Sequence, residues 1–114
     1  MADGKEIRWV GSAYEDLLAF PRDARKEAGF QLGKIQAGIE PTDWKPFDNL
    51  GAGAKELRVT DASGVFRVIY VAKFAEAIYV LHCFRKTTPS TGKRDKSIAA
   101  ARYRAVLNAR EAEE

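Results

Sequence analysis

The chain has 114 residues, 46% hydrophobic and 31% charged. That is a globular composition for one domain, residues 1–114, and it excludes a chain too polar to build a core. A single cysteine excludes an internal disulfide, and one histidine beside it argues against a zinc site. Net charge is a modest +3, but it is unevenly spread. Residues 1–84 carry 11 basic and 12 acidic side chains, whereas 85–110 carry eight basic ones against Asp95 alone. A positive C-terminal third favours an anionic partner such as RNA, DNA or an acidic protein; a solvated helix face is the plainer reading.

The opening "MADGKEIRWV" lacks an apolar signal core, and the apolar window 65–84 is interrupted by Arg67, Lys73 and Glu76. That window suits two strands better than a membrane span, so a cytoplasmic protein with no membrane partner is expected.

In chain order, "IRWV" (7–10) suits a first strand. Ser12, with Glu15 three residues on, suggests a capping box for a short helix running to about Phe20. Pro21 breaks that helix and opens the next. There Ala24, Ala28, Leu32, Ile35 and Ile39 fall on one face. Gly29 and Gly33 cost about 1 kcal/mol each against Ala unless they permit close packing, and Gly38 is a natural stop. Residues 41–54, rich in Pro, Gly, Asp and Asn, read as a loop pinned by Trp44, Phe47 and Leu50. Three strands follow: "KELRVT", "VFRVIYVAKF" after the turn "DASG", and "AIYVLHCF". Past "TTPSTG", the Ala- and Arg-rich stretch 93–110 is helical. The order β-α-α-β-β-β-α predicts an α+β fold with an antiparallel sheet, helices packed mainly on one face and the other face partly open.

Strand alternation places Arg67 with Val65, Ile69 and Val71, opposite Phe66, Val68 and Tyr70. It groups Ile78, Val80, His82 and Phe84 against Tyr79, Leu81, Cys83 and Arg85. Arg67 within "VFRVIYV" either pairs with Glu56 on the neighbouring strand or stands on the open face to hold a phosphate. His82 is read as a hydrogen-bonded core residue or as a catalyst, and Cys83 as a small core hydrophobe. No Ser-His-Asp pattern, P-loop or GxGxxG is present.

Four segments in order, "KPFDNLGAGAKELRV", "GVFRVIYV", "AIYVLHCFRKTTPSTGKR" and "DKSIAAARYR", resemble the phage-derived HigB-like branch of the RelE/ParE toxin superfamily. The likeness runs from about Lys45 to Arg104. It implies a RelE-like fold and the toxin of a type II toxin–antitoxin pair, acting as an endoribonuclease on mRNA in the ribosomal A site. The implied partners are the ribosome, mRNA and a cognate antitoxin with a helix-turn-helix domain. Matching positions put forward Arg58, Arg67, Arg85 and Lys86, and His82 falls on the family's Leu-His position. Arg85-Lys86 departs from the usual pair of lysines. Since an arginine does not give up its proton, Lys86 is the better candidate for proton transfer.

RNA cleavage by its own 2′-hydroxyl needs a phosphate held in line, stabilised charge and protons moved at the 2′ and 5′ oxygens. Arg58 and Arg67 suit the electrostatic part, and Lys86, ahead of His82 or Tyr70, the proton transfer. Lys55, Tyr70, Arg85, Lys93, Arg94 and Arg102 are the candidate RNA contacts, by charge or by base stacking. No metal or cofactor is required. Two other readings compete: a ParE-like inhibitor of DNA gyrase on the same fold, and a non-enzymatic basic module binding RNA or a partner.

Overall fold

The computed structural model describes residues 4–87 and 91–113. Its elements are β1 (Glu6–Trp9), α1 (Ala13–Leu18), α2 (Arg22–Gln36), β2 (Trp44–Pro46), β3 (Ala54–Asp61), β4 (Gly64–Val71), β5 (Ala77–Lys86) and α3 (Lys93–Ala112). One sheet runs in the order β1-β5-β4-β3-β2. Its pairs are antiparallel except β1 with β5, which run parallel. The α+β, RelE-like architecture is therefore as expected, with two additions. The first strand joins the sheet in parallel, beside the last. Part of the loop after α2 is β2, an edge strand on which Pro46 is tolerated.

The sheet is sandwiched. On one face α1 and α2 contribute Ala13, Leu17, Ala24, Ala28 and Leu32 to a core with Leu57, Val59, Phe66, Val68, Tyr70, Ile78, Val80 and Cys83. On the other, Ala99, Tyr103 and Val106 of α3 pack on Ile69, Val71, Tyr79 and Leu81. Helices packed mainly on one face is thus half right, since α3 covers much of the face expected to stay open. Burial on both sides also explains why "VFRVIYV" reads as an almost unbroken apolar run.

Local details follow from competing hydrogen bonds. Ser12 precedes α1 but makes no capping bond; its hydroxyl donates to Asp16 Oδ2 at 2.7 Å and accepts from Arg102 Nη2 at 3.0 Å. The capping box is not formed because the serine is engaged elsewhere. Helix α2 ends at Gln36, and Gly38 takes φ +81°, which suits glycine. Ile39 therefore lies beyond the helix and is 55% exposed, not on its buried face.

Gly29 and Gly33 have open space where a Cβ would stand. Close packing does not account for them, so Gly29→Ala and Gly33→Ala should each stabilise the protein by about 0.5–1 kcal/mol. Chemical denaturation would show this as a raised midpoint at unchanged slope.

At the opposite end of the sheet, Glu76 accepts from Tyr79 Oη at 2.8 Å and from Arg110 Nε at 2.7 Å. The Arg110 hydrogen bond, above all, holds the Glu76 carboxyl at about 2, below its ordinary 4.5. A depressed carboxyl stabilises the fold above its ordinary value and loses that contribution as pH falls from 4.5 towards 2. Melts of wild type and Glu76→Gln should therefore differ at pH 7 and converge as the solution is acidified through that window.

Candidate functional site

Strand register places a row of charge on one face. Lys45 of β2 faces Glu56 of β3, and Arg58 faces Arg67 of β4. Arg67 in turn faces Phe84 of β5, and Lys86 lies two residues further on. Directly opposed side chains, and those two residues apart, share a face. Lys45, Glu56, Arg58, Arg67, Phe84 and Lys86 thus stand on the α3 side, towards one end of the sheet.

Arg67 is 2% exposed and Glu56 1%. Arg67 Nη1 donates to Glu56 Oε1, which lies 3.5 Å from Lys45 Nζ. Glu56 Oε2 accepts from Thr91 Oγ1 at 2.8 Å. Of the two readings of Arg67, the cross-strand ion pair is the one found. The side chain is shut in and does not stand on an open face. Its Nε has no partner among the described residues.

Arg58 is exposed and lies 3.7 Å from Asp43 Oδ2. Lys86 is half-buried. Its ammonium titrates below the ordinary lysine value, because burial disfavours the charge and Arg67 repels it; Lys45 and Arg58 push the same way, and Glu56 opposes them.

His82 reaches this face through a β-bulge. Ile69 pairs with His82 but Tyr70 pairs with Val80, so Leu81 is the extra residue. The simple alternation expected for β5 fails there: Tyr79, Leu81, His82 and Phe84 lie towards α3, and Ile78, Val80, Cys83 and Arg85 away from it. Arg102 Nη1 donates to the Leu81 carbonyl at 2.9 Å. The His82 ring, 6% exposed, has Nε2 at 2.8 Å from Asp95 Oδ1 and stacks on Phe84 with centroids 5.0 Å apart. It joins β5 to α3, as the core-residue reading holds.

The expected RNA contacts scatter. Tyr70 is buried on the α1/α2 side, and burial raises its phenol above the ordinary value. It is therefore placed neither to stack on a base nor to pass protons. Lys55 shares that side, with its ammonium 4.5 Å from the Trp44 ring and 3.8 Å from Glu40. Arg85 also points away from the row, bonded to the Ser63 carbonyl over the Phe66 ring. Arg102 is occupied in holding α3 to Leu81 and Ser12. Lys93 and Arg94 are exposed on the first turn of α3, just after Thr91. A groove of about 690 Å³ along β5, between α1 and α3, brings together Arg85, Arg94, His82, Asp95 and Arg102.

Lys45 and Thr91 were not legible as site residues. Lys45 sits on a strand of three residues, too short for a period to show, and Thr91 reaches Glu56 across 35 positions of sequence. Among the described residues no group of three or more His, Cys, Asp or Glu is placed to hold a metal, and no helix is long and apolar enough to cross a membrane.

An α+β, RelE-like sheet bearing a cationic row at one end is the class these features define. A family model described as "Phage derived protein Gp49-like (DUF891)" matches residues 15–104. The chain belongs to that family, which is of the RelE/HigB-like toxin type. No curated protein matches it.

Proposed function

We propose that the protein is a HigB-like toxin of a type II toxin–antitoxin pair, a metal-independent, ribosome-dependent mRNA endoribonuclease. Family membership is consistent with a toxin and with an antitoxin partner. The observation that carries the nuclease reading is the convergence of Lys45, Arg58 and Arg67 around Lys86 on one face.

In this reading Arg58, exposed, contacts the scissile phosphate, and the buried Arg67 adds fixed positive charge behind it. The substrate's 2′-hydroxyl attacks the phosphorus and gives up its proton to a water molecule, and the bond from phosphorus to the 5′ oxygen breaks, leaving a 2′,3′-cyclic phosphate and a free 5′-hydroxyl. Lys86 gives a proton to the departing 5′ oxygen. A lysine acidified by burial and like charge is a better acid than an ordinary one. His82 supports the strand from which Lys86 projects. Lys93 and Arg94 meet the RNA backbone. The antitoxin, a helix-turn-helix protein, holds the toxin inactive in the cytoplasm.

Induction in a growing bacterium, with new mRNA 5′ ends mapped, tests this. In-frame cuts confined to translated messages are expected. Intact messages with arrested growth and damaged DNA would instead indicate gyrase inhibition, and intact messages with normal growth a binding module.

A further inference from the structure

A carboxylate as deeply buried as Glu56 costs several kcal/mol to desolvate, so its partners must compensate. They come from three places: Arg67 on β4, Lys45 on β2 and Thr91 on the segment entering α3. Four cations, Lys45, Arg58, Arg67 and Lys86, crowd the same face. Glu56 is the acidic side chain among them; Asp43 meets Arg58 from the strand edge. The first turn of α3 adds Lys93, Arg94, Asp95 and Lys96, of which Asp95 is taken by His82 and Lys96 lies over the Phe47 ring.

We propose that Glu56 is a positioning residue for the site: its carboxylate fixes the Arg67 guanidinium and the start of α3, and its charge holds the cations together where Lys86 stands. The geometric part rests on the nuclease reading; the electrostatic part does not. Removing the Glu56 charge deletes an attraction on Lys86 that stands against the repulsions of Arg67, Lys45 and Arg58, so its ammonium should release its proton more readily.

The test follows the ¹³C signal of the lysine Cε carbons through a pH titration of the purified protein, with Lys86 assigned by Lys86→Arg. Glu56→Gln should lower the Lys86 midpoint by about half a pH unit, less than for a direct buried pair because solvent screens a half-exposed ammonium. Glu56→Asp keeps the charge but withdraws the carboxylate from its partners. It should leave the midpoint near that of wild type while in-frame mRNA cutting falls roughly 10²-fold. A Lys86 midpoint unmoved by Glu56→Gln, or wild-type cutting by Glu56→Asp, would overturn the proposal. Glu56→Asp carries the test if Glu56→Gln does not fold. A wild type that cuts no message would sink the nuclease reading alone, with the titration still deciding the role of the Glu56 charge.

Discussion

Arg67→Ala should lower the melting temperature by on the order of 10 °C, and any loss of toxicity should come with it. Arg67 is among the largest fully buried side chains, and it is the buried partner of Glu56. Truncating it opens a cavity and leaves a buried carboxylate with Thr91 and a half-exposed Lys45. Breaking a buried pair from one side costs about 3–5 kcal/mol, and each kcal/mol shifts the melt of a domain this size by roughly 3–5 °C. An alanine at Arg67, attractive from the sequence alone, is therefore a poor probe of catalysis. Replacing both partners by Glu56→Gln with Arg67→Met should fold better than either single change. A melt of Arg67→Ala within about 2 °C of wild type would show that the pair contributes little.

Lys86→Met should separate activity from stability. The lysine is half-buried at the end of β5 and crowded by cations. Methionine keeps most of the aliphatic stem and removes the repulsion, so the melt should stay level or rise slightly. Mapped mRNA cuts should fall by about 10²–10⁴-fold, the usual worth of a positioned acid or base. Cutting at the wild-type level would remove Lys86 from the reaction and leave charge stabilisation by the arginines as the whole contribution.

The contrast between these two residues shows what the sequence carried. Alternation placed Arg67 on the correct face, because a period of two survives wherever a strand is regular. Nothing local said that α3 would cross to that face and close over it. Helix packing is settled by residues far apart, such as Tyr103 against Gly51, where a Cβ would meet the ring at 2.2 Å. The bulge at Leu81 is illegible for a related reason. One extra residue in β5 turns His82 towards Asp95, and only pairing with β4 reveals it. Tyr70 failed as an RNA contact because both faces of the sheet are buried, so an aromatic residue on either face is more often core. Apart from the three-residue β2, the elements themselves were legible, from Pro21 before α2 and Gly38 after it to the "DASG" turn between β3 and β4.

The most direct measurement adds the purified protein to a reconstituted translation reaction and maps message 5′ ends, with ribosomes and without, beside Lys86→Met. The account predicts in-frame cuts only where ribosomes carry the message, largely lost in Lys86→Met. An intact message under translation, or equal cutting without ribosomes, would contradict it.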